Sequence, residues 1–294
     1  RNYPGIAELF DAFYTSVRTG GRSPISPESL LATVDICERV SEALHRAEES
    51  ALAGISSASM NGRGVLLTGG TGLLGRAITA ALLKRGRPVR VLARRKPPAW
   101  DRLPGAEYIV ADIPEGVHPD WFEGIDTVIH AAAETAGGWD EHQRNSIDAT
   151  DVMLQGTAKA GIRRFLQVSS LAVLSKRSHK TIDEATPLES DSRGSGPYVW
   201  GKLESESLAR AKGAQLGLDI KVIRPGALVD YSHFEPPGRL GKRLGNIFVA
   251  VGSPSHRLGV VDVTRSGSLL AWMTDNWSET PSVLNLLEPA LPSK

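Results

Sequence analysis

Apolar positions along the chain change their period once, near residue 60. Before that point Ile6, Leu9, Phe10 and Phe13 recur at helical spacing, and Thr19-Gly20-Gly21 closes the segment. Ser26-Pro27-Glu28-Ser29 then reads as a helix start, with Pro27 in the first turn, where its missing N–H has no intrahelical acceptor anyway. Leu30, Val34, Cys37, Val40 and Leu44 continue it as an apolar stripe. Residues 51–64, rich in Ala, Ser and Gly, predict a linker.

From Gly64 onward, short continuous apolar runs alternate with helical stripes. Val65-Leu66-Leu67 is the run expected of a strand buried on both faces. Leu74, Ile78, Ala81 and Leu82 follow as a helical stripe closed by Gly86. Further strands are predicted at 89–92, 108–110, 127–131, 165–168, 220–223 and 283–286, with helices between most of them. Strand and helix in alternation require crossover connections, so the expected class is α/β with a doubly wound parallel Rossmann sheet. The expected organisation is a helical appendage and linker over 1–60, a nucleotide-binding domain over 61–230, and a small substrate-binding region with a returning strand over 231–294.

Composition narrows the classes. A length of 294 residues is enough for a full core, and 41% hydrophobic with 23% charged residues is ordinary for a globular protein. The formal net charge of +1 gives no reason to expect nucleic acid or an anionic membrane as partner. No apolar run approaches the roughly 20 residues that span a bilayer. The opening Arg1-Asn2-Tyr3-Pro4-Gly5 lacks the basic-then-apolar order of a signal peptide. The lone Cys37 cannot pair within the chain, which fits a reducing compartment. A cytoplasmic location, a small-molecule substrate and no metal site are the expectations.

The candidate chemistry begins between the first strand and its helix. Gly69, Gly72 and Gly75 form G-x-x-G-x-x-G within Thr68-Gly69-Gly70-Thr71-Gly72-Leu73-Leu74-Gly75. Such a loop turns tightly and lets backbone N–H groups approach a pyrophosphate at the helix N-terminus. A plain tight turn uses the same glycines; the strand-to-helix position favours the cofactor. The second strand ends Ala93-Arg94-Arg95-Lys96, with no carboxylate to hold the ribose hydroxyls. Arg94 or Arg95 can clamp a 2′-phosphate, so NADP is expected over NAD, against the alternative of a solvated basic turn. Asp112, followed by Ile113, is placed to accept from the adenine amino group. Ala131, Ala132 and Ala133 leave room for the cofactor after the fourth strand, and His130 before them reads as a packed or capping histidine.

Tyr198 and Lys202 lie four apart at the start of a helix, on one face. A lysine's positive charge there favours the phenolate and can bind the nicotinamide ribose, so Tyr198 can exchange a proton with a substrate hydroxyl. Ser170, just past the fifth strand, can donate a second hydrogen bond to the substrate oxygen. Alone, a tyrosine and a lysine at this spacing are common by chance. The glycine loop and the strand-ending serine give the pair its meaning.

With these residues in place, the chain from 64 to about 289 resembles the NAD-dependent epimerase/dehydratase family of extended short-chain dehydrogenases. The resemblance rests on residues 68–75, Asp112-Ile113, residues 130–133, Asn145, residues 168–173 and 198–202, and Arg224-Pro225-Gly226. Val261-Asp262-Val263 and Asn285 match later family signatures. It implies that Ser170, Tyr198 and Lys202 are the catalytic set and that Pro225 and Gly226 pass near the nicotinamide. It also implies a homodimer formed through helices near 145–160 and 198–212. Three departures narrow the reaction. Leu171-Ala172 follow Ser170 where sugar-nucleotide dehydratases carry Asp-Glu. Arg224-Pro225-Gly226-Ala227 stands where many epimerases carry an asparagine. Leu174-Ser175 replace a common Tyr-Gly. An oxidoreductase acting on a secondary alcohol or ketone is therefore expected, with a nucleotide-sugar epimerase and a non-catalytic cofactor sensor as alternatives.

The substrate pocket is expected from segments 176–197 and 231–259, where Arg239, Lys242, Arg243 and Arg257 are candidates to meet an anionic substrate. Residues 8–13, 18–21 and 26–28 resemble the final helices of glucose–fructose oxidoreductase/inositol dehydrogenase-like proteins. That resemblance implies a fusion, with a second dehydrogenase domain upstream of Arg1 and an apolar helical face left exposed over 1–50; the alternative is a helical appendage whose Phe10, Phe13, Leu30 and Val34 pack onto the Rossmann helices.

Overall fold

The computed structural model describes residues 5–53, 59–175, 182–232, 241–244, 247–250 and 259–288. The chain forms two units, one built on the first two helices, with which residues 98–100, 243–244 and 247–248 are grouped, and one on the sheet and the remaining helices.

In the first unit, α1 (Ile6–Thr19) ends on Gly20, whose φ of 64° is the left-handed conformation that favours glycine. The second helix, α2 (Pro27–Ala53), opens with Ser26 Oγ accepting from the Ser29 N–H at 3.2 Å. It runs further than the linker expectation allowed, because Ala51-Leu52-Ala53 are strong helix formers and extend it. The apolar stripes form as expected and are exposed at Phe10, Phe13, Leu30 and Val34.

In the second unit the elements follow in the order β1 (Gly64–Thr68), α3 (Leu73–Lys84), β2 (Val89–Ala93), β3 (Glu107–Val110), β4 (Ile125–His130) and α4 (Trp139–His142). After them come α5 (Ala149–Lys159), β5 (Arg164–Val168), α6 (Pro197–Gln215), β6 (Asp219–Pro225) and β7 (Ala227–Val229). The chain continues through β8 (Gly241–Leu244), β9 (Ile247–Ala250), β10 (Val260–Asp262), α7 (Val263–Asp275) and β11 (Val283–Leu286). Seven strands pair in the order β11-β6-β5-β4-β1-β2-β3, all parallel. These are the seven runs read from the sequence. The short pairs β7–β10 and β8–β9 were not foreseen, since three or four residues leave little period to read. The winding reverses between β1 and β4, the place where such sheets open a crevice at their carboxyl ends.

Two apolar layers hold the sheet. Val65, Leu67, Ile129, Leu166 and Ile223 pack against α3 and α7, where Ile78, Leu82 and Leu270 are fully buried. Leu66, Val128 and Phe165, one residue out of step, pack toward Met153, Leu154 and Ala209 of α5 and α6. Alternation along each strand thus feeds both faces, as double winding requires. At the carboxyl ends the α6-facing positions turn polar, with Thr68, His130, Gln167, Ser169 and Arg224 all buried. Among the described residues, no helix is long and apolar enough to cross a membrane.

Candidate active site

The glycine loop shows which glycines the protein itself requires. Gly69 has φ of 70°, and a Cβ there would lie 2.7 Å from Ala132 N. A Cβ on Gly75 would fall on Gly69 O and lie 2.5 Å from Gly70 Cα. Both are backbone contacts that cannot give. Gly72, which caps α3, differs: its backbone is extended (φ −79°, ψ 172°), and the nearest atom to a Cβ is Gly69 O at 3.4 Å. Neither conformation nor protein packing asks for glycine at 72, yet the position faces a cleft. A bare backbone there leaves room for a phosphate to approach the first N–H groups of α3, where the helix dipole favours negative charge.

That cleft encloses about 420 Å³ at the carboxyl edge of the sheet. Every residue assigned above to cofactor or chemistry lines it except Arg95: the glycine loop with Thr71, Leu73 and Leu74, then Arg94, Asp112, Ile113, Ala131, Ala132, Ala133, Ser170, Tyr198, Lys202, Pro225 and Gly226. Arg95 is exposed beside Arg94 but does not reach the lining. Arg94 is exposed and has no hydrogen-bond or ion-pair partner among the described residues. The β4 exit runs close to Gly69, with backbone atoms of Ala131 and Ala132 within 3 Å of where a Cβ on Gly69 would stand.

The carboxyl end of β5 and the first turn of α6 bring the reactive groups together. Ser170 has extended backbone and starts a 3-10 turn, Leu171–Val173, with Oγ accepting from the Ala172 N–H at 3.2 Å. Pro197 occupies the first turn of α6, which puts Tyr198 at the cleft and Lys202 one turn deeper. Lys202 is 6% exposed and its Nζ donates to Val168 O at 2.9 Å. Burial pulls its ammonium down from the ordinary lysine value to about 8. Deeper in α6, fully buried Glu206 takes two hydrogen bonds from Arg224 of β6, at 3.0 and 2.5 Å, which fixes the helix on the sheet.

His130 is packed, as read from the sequence: its Nδ1 lies 2.8 Å from Thr68 Oγ1, which also accepts from Ala132 N–H at 3.0 Å. Burial, with the charge of Lys202 adding to it, depresses the imidazole to about 3, so the ring stays neutral. Asn145 reaches the cleft from a π-helical turn, Gln143–Asp148, inserted between α4 and α5. Such turns re-aim single side chains and are frequent at functional sites. Its amide donates to Glu134 Oε2 at 3.0 Å. Burial raises the Glu134 carboxyl, but the N–H of Thr135, the Asn145 amide and the N–H groups of Ala136 and Gly137 outweigh it and hold it at about 2.

Glu134 and Arg144 escaped the sequence reading. Arg144 grips both oxygens of Asp112, at 2.8 and 3.2 Å, so the group expected to face adenine is already half engaged. Only the adjacency of Arg144 to Asn145 hinted at this, and no periodicity reveals a π turn. Arg239 and Arg257 lie outside the described residues, as do the side chains of Lys242 and Arg243; of the predicted substrate segments, 182–197 is described, while 176–181 and much of 231–259 lie outside.

A doubly wound sheet, a glycine loop at its switch point and a Ser–Tyr–Lys cluster on the same cleft define a nucleotide-binding protein of the short-chain dehydrogenase type. The sequence profile of the NAD-dependent epimerase/dehydratase family matches residues 65–248, and the chain belongs to that family. It is 28% identical over 222 residues to a provisionally named dihydroflavonol 4-reductase of Synechocystis sp., covering 70% of this chain and 62% of that protein. To a 3 beta-hydroxysteroid dehydrogenase/Delta 5-->4-isomerase of Mycobacterium tuberculosis it is 30% identical over 206 residues, 66% of this chain and 55% of the relative. The chain thus spans about three fifths of the length of these relatives. Its fold is similar to that of MoeE5 in complex with UDP-glucuronic acid and NAD, with a TM-score of 0.63 at 21% identity over 78% of each chain. The likeness of the first 50 residues to glucose–fructose oxidoreductase helices is not borne out: the family match starts at Val65, in the first strand of the sheet.

Proposed function

We propose that this chain is a nicotinamide-dependent oxidoreductase that moves hydride to or from the carbon of a secondary alcohol or ketone. The observation that carries the reading is the convergence of the glycine loop, Ser170, Tyr198 and Lys202 on one cleft. A nicotinamide dinucleotide bound there supplies the hydride donor or acceptor. The N-terminus of α3 receives its pyrophosphate through backbone N–H groups left accessible by Gly72. Tyr198 gives or takes the proton of the substrate oxygen, and Ser170 donates a second hydrogen bond to that oxygen. Lys202 places positive charge beside the phenol and bonds the nicotinamide ribose. Asp112 keeps free lone pairs for the adenine amino group even with Arg144 attached.

Unpaired Arg94 at the cleft, and Ala93 in place of an acid, support NADP over NAD. We expect Arg94→Ala to weaken NADPH binding about tenfold and leave NADH nearly unchanged, since a charge-assisted bond to phosphate is lost. Titrating both cofactors into both proteins checks this; equal affinities in the unaltered chain would remove the preference. A cytoplasmic homodimer, pairing α5 and α6 with their copies, completes the reading.

The reaction type is tested by following cofactor absorbance across a panel of ketones and secondary alcohols. Net oxidation of NADPH with product formation is expected. Product formed with no net absorbance change would mean hydride returns to the same carbon, as in an epimerase.

A further inference from the structure

We infer that His142 is a positioning residue for Tyr198, an inference that rests on the acid–base reading of Tyr198. His142 closes α4 and is 1% exposed. Its ring stands edge-to-face on the Tyr198 ring, centroids 6.2 Å apart and planes at 81°. The imidazole also lies against the α6 backbone: a Cβ on Gly201 would be 2.7 Å from His142 Nδ1. Gly201 is in an ordinary helical conformation, so its backbone has no need of glycine. A glycine inside a helix costs about 1 kcal/mol relative to alanine. Here it makes the seat for the imidazole, one residue from Lys202 and three from Tyr198.

The seat is held from outside. Trp139, one turn before His142, packs edge-to-face on Trp200 of α6 at 5.4 Å, and the Arg193 guanidinium stacks over Trp200 at 4.7 Å. This pins α4 to α6 just before the π turn that delivers Asn145. Nδ1 of His142 has no hydrogen-bond partner among the described residues, so the ring's shape, rather than a bond through that nitrogen, makes the contact. Burial lowers its basicity, Glu134 and Glu141 oppose, and Lys202 reinforces; the net shift is downward. The neutral ring adds no second positive charge beside Lys202. With the ring against it, the phenol loses a rotational escape and its hydroxyl stays aimed at the cleft, where a misplacement of about 1 Å costs up to ~100-fold in rate.

The test uses the full chain with His142→Ala, His142→Phe and Gly201→Ala, each checked for folding by thermal melting. His142→Ala is expected to lower kcat about tenfold while KM and the cofactor Kd stay within about twofold. His142→Phe, which keeps a flat ring, should return kcat to within about threefold of the unaltered chain. Gly201→Ala should lower kcat like His142→Ala although alanine is the better helix former, and it stands in if His142→Ala does not fold. Unchanged kcat in both alanine variants, or a Phe variant no better than Ala, overturns the inference. Tyr198→Phe separates the two readings: if it is inactive while His142→Ala is fully active, only the positioning role fails, whereas an active Tyr198→Phe removes the acid–base reading beneath it.

Discussion

Among the described residues Lys202 makes a single hydrogen bond, to Val168 O, and its ammonium is held at about 8 by burial. Two trends of opposite sign follow. In ketone reduction the charge supports proton donation by Tyr198, so kcat/KM should fall as pH rises through about 8. For stability, the unfolded chain binds the proton more tightly than the folded one between about 8 and the ordinary lysine value of 10.5, so Lys202 contributes more stability as pH rises across that window. A pH series of rates and melting temperatures, with Lys202→Met as the control lacking both trends, checks the pair. A rate flat through this range would remove the role of the charge. Tyr198 and Lys202 were legible from spacing because four residues on a helix fix one face, whatever surrounds it. Glu134 and Arg144 were not, since their partners Asn145 and Asp112 meet them only through a loop and a π turn.

At the scale of elements, the glycine loop separates what the fold needs from what a ligand needs. Gly75→Ala places a methyl on backbone atoms and should destabilise by several kcal/mol, in the upper range of overpacking. Gly72→Ala meets no such contact and should cost only about 1 kcal/mol, the loss of a tolerable helix N-cap. Its effect should appear instead as cofactor affinity weakened about tenfold or more, because the methyl stands in the phosphate approach. Chemical denaturation and cofactor titration of the two variants distinguish them; equal losses of stability would contradict the division. The inner sheet strands were readable because strands buried on both faces are apolar runs, and the partly buried edge strands β3 and β11 still carry short ones at Tyr108-Ile109-Val110 and Val283-Leu284. The helix start at Ser26-Pro27 was readable from its capping chemistry. The end of α2 was not, since Ala-rich sequence serves a linker or a helix equally and local propensity decides.

For the molecule as a whole, the parallel order and its switch point put every chemical group at one edge of the sheet, which is why distant motifs converge on one cleft. The family follows from that convergence and from the profile match; the substrate does not, because the segments expected to choose it follow no period. The proposed dimer is a claim at this scale too. Light scattering at micromolar concentration should give twice the 31.5 kDa of one chain, and a monomer mass would contradict it. The central claim, that proton transfer at this cleft runs through Tyr198, is tested most directly by Tyr198→Phe. That variant removes one hydroxyl and should bind NADPH within about twofold of the unaltered chain while losing turnover by about 100-fold or more. A Phe variant that turns over at the original rate would contradict the account.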